Sequence, residues 1–217
     1  MIDAIRIFVG YDYREAVAYH TFCQSVITRT EKTVSFTPVT FDQKDGSNSF
    51  IYGRFLVPHL CNHEGWAIFV DGDMTCLTDI NKLWLLRDPV KAVQVVKHEY
   101  KTKYPIKYWG NKNEDYPRKN WSSVILWNCG HTKHNILTPD YVRNEPGSVL
   151  HRFRWLDDSD IGELPVEWNY LALEQLYHPD AKIVHHSIGL PIDPAATGDP
   201  WHWDWVSERS AAMRYKP

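Results

Sequence analysis

Five consecutive apolar residues, Trp66 to Val70, run without interruption into Asp71-Gly72-Asp73. A strand apolar at every position has to be buried on both faces, and two-sided burial is the mark of a largely parallel sheet covered by helices. The segments before and after follow the same plan. Ile5 to Val9 reads as a strand, Gly10-Tyr11-Asp12 as a loop, and Arg14 to Ile27 as a helix with apolar residues near helical spacing. Val34 to Val39 is a strand closed by a polar loop from Asp42 to Ser49, and Tyr52 to Leu60 is helical despite Pro58. Asp79 caps a short helix through Leu86, and Ala92 to Val96 is another buried strand. This alternation predicts an α/β fold, a single domain with a mixed, mainly parallel sheet flanked by helices, whose ligands lie beyond the carboxyl ends of the strands.

The second half is less regular. Glu99 to Asn120 is polar, aromatic and interrupted by Pro, too long for an ordinary connection, and is expected to border a functional site. Ser123 to Trp127 is a further strand, Pro139 to Glu145 and Ser148 to Trp155 are helical, and Lys182 to His185 is a late short strand. The tail from Pro191 is expected to wrap back over the surface. Its Trp201-His202-Trp203-Asp204-Trp205 alternates aromatic and polar groups, either as a strand packing three indoles or as a stacking surface for a sugar.

Length and charge narrow the partners. A chain of 217 residues buries a substantial core as one domain. With 24 Lys and Arg against 27 Asp and Glu, a net charge of −3 gives no footing for nucleic acid or an anionic membrane, and points to a small-molecule partner. The start, Met1-Ile2-Asp3, lacks the features of a secretory signal, and no apolar run approaches the roughly 20 residues that span a bilayer. Cys23, Cys61, Cys76 and Cys129 are scattered without metal-ligand spacing and read as reduced thiols, so a cytoplasmic location is expected. Ten Trp and twelve Tyr supply core area, and some can stack on sugar rings.

Chemistry concentrates at Asp71-Gly72-Asp73. Two carboxylates one residue apart in a turn can converge on one hard divalent cation, with the central Gly permitting a tight backbone and close ligand approach. Such a cation bridges phosphates and stabilises a departing diphosphate. An exposed turn with two Asp is the plainer origin of the same residues, but the position directly after the most apolar strand argues for a site. His185-His186 follows the late strand, and a neutral imidazole there can complete the coordination.

Together these patches resemble the retaining glycosyltransferases of family 8, which have a GT-A fold. Ile7-Phe8-Val9-Gly10-Tyr11-Asp12 is similar to the segment that holds the uracil and ribose of the donor, so Val9, Tyr11 and Asp12 are implied nucleotide contacts. Tyr52-Gly53-Arg54-Phe55-Leu56-Val57-Pro58 looks like the segment whose Arg approaches the nucleotide, which implicates Arg54. Asp71-Gly72-Asp73 looks like the family's DxD, and His186 with Gly189 matches its late His-x-x-Gly. The resemblance implies a UDP-sugar donor, UDP-glucose or UDP-galactose, a hydroxyl-bearing saccharide acceptor, transfer with retention, and Mn²⁺ or Mg²⁺ held by Asp71, Asp73 and His186. Residues 1–98 would bind nucleotide and metal, and 99–217 would supply the His ligand and acceptor contacts. Leu190-Pro191 follows Gly189 where the family has Lys-Pro-Trp, so no diphosphate-binding Lys is assigned. Trp121-Ser122-Ser123-Val124 replaces the family's Asn-Ala-Gly strand, with Asn128 beyond it as the implied contact. In Asp157-Asp158-Ser159-Asp160, Asp158 is the choice for the reactive face of the sugar, either as nucleophile or as a neighbour to an acceptor attacking from the leaving-group side.

Two rivals stand beside this reading. Asp71-Gly72-Asp73-Met74-Thr75 also fits the Asp-x-Asp-x-Thr signature of haloacid dehalogenase-like phosphatases, with Asp71 as nucleophile, Asp73 as acid/base, Mg²⁺ beside them and Asp157-Asp158 as the late acidic pair. That motif normally opens its domain, whereas two strand and helix units precede it here. The other rival is a catalytically silent sugar-binding protein on a transferase scaffold, which the aromatic surplus would suit.

Overall fold

The computed structural model describes residues 4–42 and 48–214. In chain order its regular elements are β1 (Ile5–Gly10), α1 (Ala16–Ile27), β2 (Val34–Val39), α2 (Val57–Leu60), β3 (Trp66–Val70), β4 (Met74–Cys76), α3 (Asn81–Trp84), β5 (Val93–Val95), β6 (Ile106–Lys107), β7 (Asn111–Lys112), β8 (Val124–Asn128), α4 (Pro139–Asn144), α5 (Gly147–Leu150), β9 (Ile161–Glu163), β10 (Tyr170–Leu171), β11 (Ile183–His185) and α6 (His202–Ala212). The strands expected from Ile5, Val34, Trp66, Ala92, Ser123 and Lys182 are all present. Most of the polar loop expected from Asp42 to Ser49, residues 43–47, and the terminal Met1-Ile2-Asp3 lie outside the described residues.

The main sheet has the order β2-β1-β3-β8-β5-β9, and β8 alone runs against the other five strands. Two-sided burial, inferred from the unbroken apolar run of β3, is what the structure shows. Ala67 and Phe69 join a core layer with Phe55, Leu150 and Phe153, while Ile68 and Val70 join another with Phe22 and Val26 of α1 and Leu83 of α3. Alternate side chains of one strand thus hold both layers to the sheet, and burial of each such residue stabilises by roughly 1.5–3 kcal/mol.

A second sheet, β10-β11-β4, grows directly out of the first, because β4 begins at the residue after Asp73. In it β11 runs antiparallel to β4 with His185 opposite Met74. The long segment from Glu99 folds into the small β6–β7 hairpin. The helix expected over Ser148 to Trp155 stops at Leu150, and Phe153 beyond it has a left-handed φ of 51°, which no continuing α-helix allows.

The tail corrects another expectation. Trp201 to Trp205 is not a strand: Trp201 caps α6, so Trp201 and Trp205 lie one helical turn apart and are buried, while Trp203 is 76% exposed. The helix packs on α1, where Arg29 Nη1 meets Glu208 Oε1 at 2.7 Å. All four cysteines are free, and no helix among the described residues is long and apolar enough to cross a membrane.

Candidate functional site

The carboxyl ends of β1 and β3 lie side by side, with Val9 opposite Val70, and the chain leaves β3 straight into the acidic turn. Asp71 N donates to Ser123 O at 3.0 Å, which ties the turn to the start of β8. Gly72 is fixed by space: a Cβ there would stand 2.4 Å from Gly10 O. The backbones of the two loops approach too closely for a side chain, and this holds Asp71 and Asp73 over the sheet edge.

Both carboxylates are buried. Arg54 Nη1 lies 2.8 Å from Asp71 Oδ1 and also donates to Ser122 O, while its Nε donates to Ile51 O. On the other side His185 Nε2 is 3.4 Å from Asp73 Oδ1 and 3.9 Å from Asp71 Oδ2. One ligand atom from each of Asp71, Asp73 and His185 falls within 4.8 Å of the others. Burial pushes the Asp71 carboxyl above its ordinary range, with Arg54 opposing and Asp73 adding to the rise. Burial acts on Asp73 in the same sense, but with no cation bound a protonated His185, through its charge and its Nε2 hydrogen bond, outweighs it and holds Asp73 below the usual range.

The tautomer of His185 follows from its neighbour. Asn169 Nδ2 donates to Asn120 O at 3.0 Å, which turns Asn169 Oδ1 toward His185 Nδ1 at 3.2 Å. An amide oxygen only accepts, so Nδ1 carries the hydrogen, and in neutral His185 Nε2 presents a lone pair to two carboxylates. Asp71 Oδ1 and Asp73 Oδ1 are both buried, and they are in ion-pair contact with Arg54 and His185 respectively. Two carboxylates and an imidazole lone pair directed at one point form the donor set of a divalent cation of the Mn²⁺ or Mg²⁺ type. The residues present therefore fit such an ion.

The site opens into a cavity of about 510 Å³. Arg54, Asp71, Asp73 and His185 line its floor; Lys107, Tyr108, Tyr116 and Asn120 of the long segment form one wall, as its length suggested, and His151 and Arg152 another. His151 is half-buried with Nδ1 2.7 Å from Ser122 Oγ, and desolvation, with the Arg54 charge adding, drops its pKa to about 3. Glu15 is also buried; desolvation, with Asp73, Asp12 and Asp193 adding, raises it to about 8.

The other residues singled out in the sequence have these surroundings. His186 does not face the acidic pair. Successive residues at the end of β11 point to opposite sides, so His185 takes that place, while His186 sets Nδ1 2.7 Å from Asp199 Oδ2 and Nε2 2.9 Å from Thr75 Oγ1. Asp158 is an exposed surface group paired with Arg118, and its neighbours Asp157 and Asp160 share Lys133. Asn128 pairs with Trp66 at the opposite end of β3 from Asp71 and donates to Lys91 O. The side chain of Val9 belongs to the core, Tyr11 sets its ring edge-on to Tyr19, and Asp12 holds Arg14 Nε at 2.8 Å and Ser49 N at 3.1 Å. Gly189 packs close to Asp193 and Tyr108 behind the cavity wall. Asn169, Lys107 and Glu15 carry no sequence signal of their own, since each is brought in by tertiary pairing.

No family model matches the chain. It is 41% identical over 203 residues to Protein CDI of Arabidopsis thaliana, covering 86% of this chain and 78% of that protein. The chain belongs to the Protein CDI family. Among solved structures, this Protein CDI family member is similar to the WbbM bifunctional glycosyltransferase, with a TM-score of 0.65 at 13% identity over 94% of this chain and 51% of that one. It is likewise similar to the apo form of glycosyltransferase GlyE of Streptococcus pneumoniae TIGR4, with a TM-score of 0.65 at 14% identity over 98% and 61%. It thus spans about half to three-fifths of these two chains. Against the galactosyltransferase LgtC in complex with donor and acceptor sugar analogs the TM-score is 0.56 at 11% identity, over 98% of both chains. At such identities the likeness is one of fold, and the Protein CDI family member has the GT-A α/β architecture.

Proposed function

We propose that this protein is a metal-dependent retaining glycosyltransferase that moves a hexose from UDP-glucose or UDP-galactose to a hydroxyl of a saccharide acceptor. The observation that carries the reading is the convergence of Asp71, Asp73 and the His185 lone pair on the floor of a large cavity beyond the strand ends. A GT-A-like fold with the transferases as structural neighbours is consistent with it.

Asp71, Asp73 and His185 would hold Mn²⁺ or Mg²⁺, which when bound supplies positive charge to the leaving diphosphate. Asn169 fixes the His185 ring in the ligating tautomer. Arg54 orients Asp71 and, lining the cavity, adds a fixed cation beside the donor. In the transfer, the bond between the anomeric carbon and the diphosphate oxygen breaks with its electron pair leaving on UDP. A bond from the acceptor oxygen to that carbon forms, and the hydroxyl proton goes to the departing phosphate. Residues up to 98 would hold nucleotide and the two metal carboxylates, and 99–217 the His ligand and acceptor wall.

The phosphatase alternative loses its residues here. Its nucleophile, Asp71, is in ion-pair contact with Arg54, and its late acidic pair is a surface cluster satisfied by Arg118 and Lys133. Thermal denaturation with UDP, with and without Mn²⁺, tests the proposal, because a ligand bound only by the native state raises the melting temperature. A rise that needs both is the expected result, followed by Mn²⁺-dependent turnover of a UDP-hexose. UDP binding without turnover on any acceptor would favour the silent sugar-binding alternative.

A further inference from the structure

A second recess, of about 200 Å³, opens beside the large cavity and shares Lys107, Tyr116, Asn120 and Ser187 with it. Lys112 and Lys119 line the recess but not the large cavity. Three lysines therefore line one small space, with Glu114 on its wall and Glu174 joined to it through Asn113, in a chain whose net charge is −3. Lys112 is exposed and Lys107 half-buried, but Lys119 is drawn into the protein.

Lys119 is buried and is held by Asn113 Oδ1 at 2.6 Å and Glu114 O at 2.7 Å, leaving one of its three donors uncommitted. Lys107 and Lys112 have no ion-pair partner among the described residues. Ser187 Oγ is buried with no hydrogen-bond partner. A buried donor left unmade is costly, and like charges held close together repel, more so where one of them, Lys119, is buried. An oxyanion in the space would lower both costs: it can accept from Ser187 and Lys119 and offset part of the charge of the three lysines.

We propose that this recess binds an anionic group, a phosphate monoester or a carboxylate, carried by the acceptor saccharide. The inference rests on the transferase reading, in which the large cavity takes the donor. The shared wall at Lys107 and Ser187 then sets the anion of the acceptor next to the reacting end of the donor, so that an acidic sugar is placed with its hydroxyl toward the anomeric carbon. Neutral saccharides leave the recess unfilled and bind weakly.

The test uses the full chain saturated with UDP and Mn²⁺, titrated calorimetrically at low salt with inorganic phosphate, glucose, glucose 6-phosphate and glucuronate. At least one anionic sugar is expected to bind ten times or more tighter than glucose, with inorganic phosphate competing against that sugar and not against UDP. Tighter glucose 6-phosphate identifies a phosphate source, tighter glucuronate a carboxylate. Lys112→Glu, at an exposed position, is expected to lower anion affinity about tenfold or more while the melting shift from UDP and Mn²⁺ persists. Equal binding of glucose and both acids, displacement of phosphate by UDP, or unchanged anion affinity in K112E would overturn the proposal. Loss of the UDP shift in the unmodified chain would instead remove the transferase reading, while phosphate binding sensitive to K112E reports on the recess by itself.

Discussion

The Nε2 atom of His185 lies 3.4 Å from Oδ1 of Asp73, and the next residue, His186, turns its ring the other way, onto Asp199. The two histidines thus have separable jobs. His185→Ala removes a neutral donor from the cation site and is expected to abolish Mn²⁺-dependent UDP binding with little loss of fold. His186→Ala leaves Asp199 and Thr75 buried without that partner and is expected to cost about 1–3 kcal/mol of stability. Asn169→Ala, which frees the His185 tautomer, is expected to weaken Mn²⁺ binding by about 10–100-fold. Calorimetric Mn²⁺ titration beside melting curves separates the three; retained metal affinity in H185A would remove His185 from the site.

Gly72→Ala tests whether the acidic turn is held by backbone contact. The new methyl would stand 2.4 Å from Gly10 O, so the β1 and β3 loops must part. Forced overpacking of this kind costs about 1–3 kcal/mol, and the shift falls directly on Asp71 and Asp73. The expected outcome is a lowered denaturant midpoint together with loss of UDP and Mn²⁺ binding. A variant that keeps both would mean that the turn has room the geometry does not show.

Glu15 gives a pH signature. Its carboxyl is raised by burial from 4.5 to about 8, so between those values the folded chain retains a proton that the unfolded chain has released. The unfolded state binds fewer protons across that window, and stability falls as pH rises, by at most about 1.4 kcal/mol per pH unit, levelling above about 8. Glu15→Gln removes the dependence: its melting temperature is expected to exceed that of the unmodified protein at pH 8 and to approach it near pH 4.5. Parallel curves for the two proteins over that range would show that Glu15 is solvated and ionised.

The sheet was legible because β1, β3, β5 and β8 are apolar runs whose period and length leave little choice. The acidic pair Asp71 and Asp73 was legible because it stands directly at the end of one such run. Which histidine faces that pair was not, since choosing between His185 and His186 depends on the register of β11 against β4, a pairing across more than a hundred residues. The surface position of Asp158 was not legible for a related reason. An acidic cluster looks the same in sequence whether it faces a cavity or, as here, two surface cations. Likewise Trp201 to Trp205 reads as alternation when two indoles are taken as neighbours at spacing two, but spacing four is the one the fold uses.

That spacing makes the tail testable. Trp205 is fully buried with Ala18 and Leu190 under α1, while Trp203 stands in solvent on the same helix. Truncating a buried indole removes its transfer free energy and leaves a cavity, at about 3–5 kcal/mol, whereas an exposed substitution free of other contacts stays within about 0.5 kcal/mol. Trp205→Ala is therefore expected to shift the urea midpoint strongly, and Trp203→Ala hardly at all. Because α6 packs on α1, loss of Trp205 loosens the helix whose first turn follows Glu15. UDP and Mn²⁺ affinity is expected to fall in W205A but not in W203A. Equal midpoints for the two variants would mean that the tail does not brace the site.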